Sequence, residues 1–366
     1  MRFISFFISF VAAIYFSSFS ASANSLNHLK PLMLEDKNYT EYWEQYFYLS
    51  DGSLVTSQFL VANFPWPVGK DHGIMLGTLV TPEGELHVIK NGRDLGEWGY
   101  DKNALDLFIH THRLKASENE YSVHLENTMA VVDLQLTSNQ PSIDHNKFSS
   151  DNGSIETSYY SPSLTGNGNW QLGSEAGYDP AGPVHNVDHA TGFGVHVVMT
   201  DKVDQLIRNW ARVVGVGKES IKPFLSSITR PDSNEDIIFK LFDGNKTLDE
   251  FSDVSLEYKN ITKEKDASYP NTIDISAKGK KGTLEGTFKY SKKLSHFNLT
   301  DHLNFFEKSF ATSNPVVSNF RYLVDYNLVY KTSEGEKVLT GKALSEFTDI
   351  LPAKKAPAKK RRRNRR

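Results

Sequence analysis

The fold is indicated first by one stretch near the N-terminus, Tyr42-Trp43-Glu44-Gln45-Tyr46-Phe47-Tyr48-Leu49-Ser50-Asp51-Gly52, and by the apolar run at 54–61 that follows it. An aromatic run, an Asp-Gly pair and a second apolar run are typical of two antiparallel strands joined by a tight turn. The same pattern recurs at 74–81 and 86–90, on either side of a Pro-Glu-Gly turn. Many short strands at this spacing predict a mainly β fold, an antiparallel barrel or sandwich.

A second series of strand patterns runs from residue 237 to residue 339, and two short helices are predicted in this half of the chain. Thr200 and Asp201 are suitable caps for the first helix. Its apolar stripe has three- and four-residue steps and consists of Val203, Leu206, Ile207, Trp210, Val213 and Val214. The second helix is expected at 300–310.

The N-terminus has the composition of an export signal. Arg2 precedes an apolar run that is shorter than a membrane-spanning helix, and Ala21-Ser22-Ala23 forms a cleavage site. We expect a signal peptide at 1–23 with the cut after Ala23, and therefore a periplasmic or secreted protein. A retained anchor is the alternative. The chain contains no cysteine, so its fold depends on burial alone.

The C-terminal segment 351–366 contains nine of the 41 basic residues and no acid, which leaves 32 basic residues against 44 acids before it. The acidic body thus carries a net charge of −12, whereas the tail is strongly cationic. Such a block of like charges is expected to be disordered. Its basic part, 354–366, is suited to bind an anionic membrane surface, or it lies solvated against the acidic body. Nucleic acid is not an expected partner, because the protein is expected to be exported.

Four short motifs resemble those of a known group of proteins. They are Phe47-Tyr48-Leu49-Ser50-Asp51-Gly52-Ser53, Ser158-Tyr159-Tyr160-Ser161-Pro162-Ser163, Asp188-His189 and Thr340-Gly341-Lys342-Ala343-Leu344-Ser345-Glu346. The group is the tandem lipocalin-like (calycin) family of hydroxyneurosporene synthase (the carotenoid 1,2-hydratase), the AttH-type proteins and the yeast survival-factor-like proteins. The tryptophan that this group has after the Asp-His pair is missing here.

This resemblance implies two antiparallel lipocalin-like β-barrels in tandem, joined near the Asp-His pair. We expect the N-terminal barrel at 24–182 and the C-terminal barrel at 183–350. The resemblance also implies an apolar ligand and, in the hydratase branch, addition of water to an isoprenoid.

Asp188 and His189 are the candidate catalytic residues, and three interpretations of them are open. A carboxyl group that burial keeps protonated can act as a general acid, with His189 orienting Asp188. His185, Asp188 and His189 can also be considered as metal ligands, but the glycines around them argue against a helix, and no metal site is expected. In the third interpretation the pair is a buried polar junction between the barrels.

Three functions remain open at this stage. The first is an exported binding or carrier protein for a lipophilic molecule, a lipid or an isoprenoid. The second is a hydratase or isoprenoid cyclase that needs no cofactor and uses Asp188, and the third is a carbohydrate- or surface-binding module. The candidate ligand-binding residues are aromatic: Tyr159, Tyr160, Trp43, Tyr46, Trp66 and Trp98.

Overall fold

The structure, a computed structural model, describes residues 30–63, 70–93, 96–101, 105–117, 119–138, 140, 142–144, 147–150, 153–173, 182–298, 301 and 315–352. The expected signal segment 1–23, the basic segment 354–366, Trp66 and all but one residue of the expected helix 300–310 lie outside these residues. No helix in the described part of the chain has both the length and the apolar character needed to cross a membrane.

Within the described residues, thirteen strands form the first sheet. Their bounds are β1 Thr40–Leu49, β2 Leu54–Ala62, β3 His72–Val80, β4 Leu86–Arg93, β5 Trp98–Asp101, β6 Leu105–Ile109, β7 His112–Ser117, β8 Glu120–Glu126, β9 Ala130–Ser138, β10 Ile143–Asp144, β11 Phe148–Ser150, β12 Gly153–Leu172 and β13 His185–Met199. Hydrogen bonds join them in the order β4-β3-β2-β1-β13-β12-β9-β8-β7-β6-β5, and β10 and β11 pair with β12. This sheet curls around its own apolar core as a half-barrel.

The opening hairpin forms as its sequence predicts. The Asp51 carboxylate accepts a hydrogen bond from the backbone N–H of Ser53, and Gly52 has φ +93°, a conformation that favours glycine. The indole N–H of Trp170 donates to the other oxygen of Asp51, which ties the turn to β12.

The second unit, as far as its residues are described, is a closed antiparallel barrel of eight strands. Its strands are β14 Asn209–Val216, β15 Ile221–Thr229, β16 Glu235–Asp243, β17 Lys246–Glu264, β18 Ala267–Gly279, β19 Gly282–Asn298, β20 Val316–Thr332 and β21 Gly335–Leu351. Neighbours along the chain pair with one another, and β14 pairs with β21 to close the barrel. The predicted tandem lipocalin-like architecture is confirmed by this barrel and the curled first sheet.

The predicted helix is wrong over most of its length. Only α1, Val203–Leu206, is helical, and β14 begins three residues after it. Trp210, Val213 and Val214 share a strand that is buried on both faces. A strand buried on both faces has no alternation of apolar and polar residues, so its apolar positions also fit helical spacing.

The junction between the two units also lies later than the predicted boundary at 182/183. β13 pairs with β1 on one side and with β12 on the other, so it belongs to the first sheet through Met199. The connection to the barrel is therefore 200–208, which contains α1. The glycines near 192 lie inside a central strand and not at a domain hinge.

Side chains fill both units. The half-barrel encloses one hydrophobic cluster, the closed barrel encloses another, and a third lies between them. Successive side chains of a strand point to opposite faces, so β1 contributes Trp43 and Phe47 to the first core and Tyr42 and Tyr46 to the layer between the units.

Candidate functional site

The space between the two units contains a small cavity of about 210 Å³, which we call the interbarrel cleft. The first sheet contributes side chains from β1, β2, β3 and β13, and the barrel contributes side chains from β14, β19, β20 and β21. Its apolar wall consists of Leu60, Leu76, Met199, Val203, Ile207, Trp210, Phe297, Val317 and Ile350. The floor of the cleft is polar and contains charged side chains.

Three of the charged side chains on this floor contact one another, and we call them the acid–arginine cluster: Glu44 of β1, Arg212 of β14 and Glu346 of β21. The Arg212 Nη2 group donates to Glu44 Oε2 at 2.8 Å. The same nitrogen lies 2.6 Å from Glu346 Oε2, as an ion pair without the angle of a hydrogen bond. All three side chains are buried, so one guanidinium connects carboxylates from both units.

Neutral side chains hold the two carboxylates in place. The Tyr46 hydroxyl donates to Glu44 Oε1 at 2.9 Å. Glu346 Oε1 accepts hydrogen bonds from the Asn319 amide and, at 2.9 Å, from the Thr348 hydroxyl. The guanidinium of Arg212 also lies over the Trp210 ring, 4.5 Å from its centroid. The carboxylates are therefore fixed in orientation before any ligand arrives.

Burial raises the pKa of Glu44, and the nearby Glu346 carboxylate acts in the same direction, against the lowering effect of Arg212. Although burial of Arg212 opposes it, the two carboxylates hold the pKa of the guanidinium above its ordinary value. Two carboxyl groups that share one cation in a dry site do not ionise as readily as two separate ones. Glu44 is the member suited to carry a proton.

Asp188 and His189 do not line this cleft. Both side chains are exposed in the first half of β13. Consecutive residues of a strand point to opposite faces, so the strand does not direct the imidazole at the carboxylate. The dry surroundings that the general-acid hypothesis requires are found at Glu44 and not at Asp188.

His189 does border a second cavity, of about 930 Å³, at another part of the contact between the units. Tyr48 and Thr191 line it from the first sheet, and Tyr326 and Lys342 line it from the barrel. His185, which starts β13, stacks on Trp170 with 3.8 Å between the ring centroids. Among the residues that the structure describes, no three His, Asp or Glu side chains are grouped to hold a metal ion.

The aromatic candidates divide between two places. Trp43, Trp98 and Tyr160 pack inside the first core. Tyr46 and Tyr159 lie in the layer between the units, where the Tyr159 hydroxyl donates to Ser226 Oγ of the barrel at 2.7 Å. The structure thus brings Tyr46 and Tyr159 near the acid–arginine cluster and does not bring the other described candidates there.

Sequence reasoning missed the charged residues of the cleft, although each carries a signal. Arg212 and Arg321 each lie between two apolar or aromatic residues of a strand, and Glu44 and Glu346 each have one aromatic neighbour. A charge in such a run must be buried with a partner, because an unpaired buried ion is very costly. The sequence alone does not say which strands pair these charges.

A separate buried polar pair lies at one end of the first core. His196 Nε2 lies 2.7 Å from Glu41 Oε1, and the imidazole stacks on Trp43. Glu41 Oε2 accepts hydrogen bonds from the Tyr39 hydroxyl and from the backbone N–H of Leu32. This pair has no contact with the cleft cavity and fixes the segment that leads into β1.

Several solved structures match most of this chain. CghA in its complex with Sch210972 matches 87% of this chain and 89% of its own with a TM-score of 0.59 at 8% identity. A putative AttH (NE1406) from Nitrosomonas europaea has a TM-score of 0.56 at 13% identity over 86% of this chain and 93% of its own. Kievitone hydratase from Nectria haematococca has a TM-score of 0.54 at 12% identity, over 89% and 93%.

No family model matches the sequence, and no curated protein matches it significantly. The identities of the structural matches are too low to carry over any residue role. Their TM-scores nevertheless show the fold: the described chain has the tandem lipocalin-like fold of CghA, AttH and kievitone hydratase, as its short motifs predicted.

Proposed function

We propose that this protein is an acid–base enzyme of the hydratase or cyclase type, which takes an apolar small molecule into the interbarrel cleft. The observation that supports it is the acid–arginine cluster: a buried Glu44 with a raised pKa at the floor of an apolar cavity. Kievitone hydratase, by its name, catalyses a hydration in the same fold.

Hydration of an alkene at this site is chemically simple. The Glu44 carboxyl transfers its proton to one alkene carbon, so an O–H bond breaks while a C–H bond forms from the alkene electron pair. Water then adds to the cationic carbon and returns a proton to the Glu44 carboxylate. Arg212 stabilises that carboxylate between the two steps. The reaction needs no reactant besides the alkene and water.

Replacement of the acid tests this proposal. The protein is incubated with prenyl alkenes in ¹⁸O-labelled water, and mass spectrometry detects alcohols that carry the label. We expect labelled product with the native protein and a loss of about 10²–10⁴-fold in Glu44→Gln, which keeps the shape but not the proton. Glu285→Gln, at an exposed ion pair with Lys331 on the barrel, is the matched control and keeps full activity. Labelled product formed equally by Glu44→Gln contradicts the role of Glu44.

A carrier of lipophilic molecules is the second candidate, and the apolar wall of the cleft favours it. Extraction and mass spectrometry of the protein from its own host test this function. Bound lipid that is retained in Glu44→Gln, without turnover by the native protein, supports the carrier. The export signal and the docking of the basic tail on a membrane stay predictions, since both segments lie outside the described residues.

A further inference from the structure

Arg321 of β20 is a buried cation on the floor of the interbarrel cleft, close to the acid–arginine cluster but not part of it. Arg321 is 5% exposed and lines the cleft. In the part of the chain that the structure describes, its Nη1 group donates to the Thr78 hydroxyl at 3.2 Å, and its Nε–H has no partner. Its guanidinium lies over the Tyr46 and Phe297 rings, 5.3 and 5.7 Å from their centroids.

Among the described residues, no carboxylate pairs directly with the Arg321 guanidinium. Glu44 and Glu346 both pair with Arg212, at 2.8 and 2.6 Å, so these two carboxylates are taken up by the other guanidinium of the cleft. Aromatic rings and one hydroxyl only partly replace the water that a guanidinium loses on burial. A ligand of the cleft can supply the missing partner if it carries a group that accepts hydrogen bonds from the Arg321 guanidinium.

We propose that the ligand of the interbarrel cleft is an apolar carboxylic acid whose carboxylate pairs with Arg321. A guanidinium presents a planar set of N–H donors that matches a carboxylate, and this pairing is strong in a dry site. The apolar wall binds the rest of the molecule. The inference rests on the proposed use of the cleft as the substrate site and adds the class of substrate.

Two probes that differ only in charge test the inference. Isothermal titration calorimetry at pH 7 compares octanoate with octanamide, in which a neutral amide replaces the carboxylate. The native protein is expected to bind octanoate at least tenfold more tightly than octanamide. Arg321→Gln is expected to abolish this preference, and Arg321→Lys, which keeps the charge, is expected to retain part of it.

The control is Arg113→Gln, which removes an exposed arginine that pairs with Asp106 on the first sheet and should keep the preference. Far-ultraviolet circular dichroism and thermal unfolding verify that each variant is folded. Equal binding of the two probes by the native protein, no binding of octanoate, or an unchanged preference in folded Arg321→Gln each overturns the inference.

The binding test of Arg321 and the turnover test of Glu44 can succeed or fail independently of each other. Octanoate binding that depends on Arg321, without any turnover that depends on Glu44, supports the acid site and rejects the hydratase. Turnover of a prenyl alkene that carries a carboxylate, if it depends on Glu44 and has an unchanged KM in Arg321→Gln, supports the enzyme and rejects the carboxylate pairing with Arg321.

Discussion

Glu44 and Glu41 are carboxylates three residues apart on one strand, and their surroundings give them different roles. Glu41 faces the first core, where His196 and Tyr39 bind it. Glu44 faces the cleft, where it shares Arg212 with a second carboxylate. A carboxylate with a structural role and a candidate acid thus differ by the face of the strand they occupy and not by residue type.

Loss of the His196 imidazole should destabilise the protein strongly. His196→Leu leaves Glu41 Oε1 buried without its imidazole partner, which costs about 1–3 kcal/mol of the free energy of unfolding. The matched control is His124→Leu. His124 is a third exposed and pairs with Asp133 and Glu126, so its loss should cost about 1 kcal/mol or less. Urea unfolding measures both, and equal losses would show that burial of the pair does not matter.

The raised pKa of Glu44 predicts a pH dependence of stability. The folded protein binds the Glu44 proton more tightly than the unfolded chain, so this group makes stability fall as the pH rises above 4.5, its ordinary pKa. Glutamine does not titrate. Urea unfolding between pH 5 and 8 should therefore show the stability of the native protein declining relative to Glu44→Gln as the pH rises. A constant difference across this range would mean that the carboxyl is ionised throughout.

At the scale of elements, the close approach of β1 and β13 depends on glycine. A Cβ at Gly192 would overlap with the carbonyl oxygen of Tyr46 and approach Phe47 to 2.8 Å. Gly192→Ala should therefore lower the free energy of unfolding by about 2–3 kcal/mol, as overpacking does. At Gly92 of β4, a Cβ would meet only the end of the His72 side chain, at 3.3 Å. Gly92→Ala should change stability by about 0.5 kcal/mol or less, and thermal unfolding that ranks the two variants equally would refute the steric explanation.

The hairpins were predictable because their signals are local. Residues 42–61 contain both strands and the turn chemistry of Asp51 and Gly52, and they fold as expected. The prediction of a helix over 203–214 was wrong because β14 is buried by the barrel interior on one face and by the first sheet on the other. Such a strand carries no alternation that a single sequence could display.

The candidate site was less predictable than the fold. Asp188 and His189 are adjacent in sequence and therefore conspicuous, whereas Glu44, Arg212 and Glu346 are separated by more than a hundred residues. Their meeting depends on how the half-barrel docks on the closed barrel. No periodicity along the chain encodes that docking.

For the whole molecule, the layer between the units should make unfolding cooperative. The layer joins residues of both units in one hydrophobic cluster and contains the acid–arginine cluster. Separation of the barrels would expose this apolar surface and break the shared ion pairs. Differential scanning calorimetry should therefore show a single transition, with a van't Hoff enthalpy close to the calorimetric enthalpy. Two resolved transitions would mean that each barrel is stable alone.

The alternation of β1 has a consequence for how this protein tolerates insertions and deletions. Removal of one residue between the 50–53 turn and Glu44 would slide the strand by one position against its neighbours and exchange its faces. Trp43 would then point towards Arg212, and a carboxylate would enter the oily interior of the half-barrel. Length changes in this segment would therefore disrupt both the packing of the half-barrel core and the charged floor of the cleft. Natural variation there should be limited to exchanges of one side chain for another.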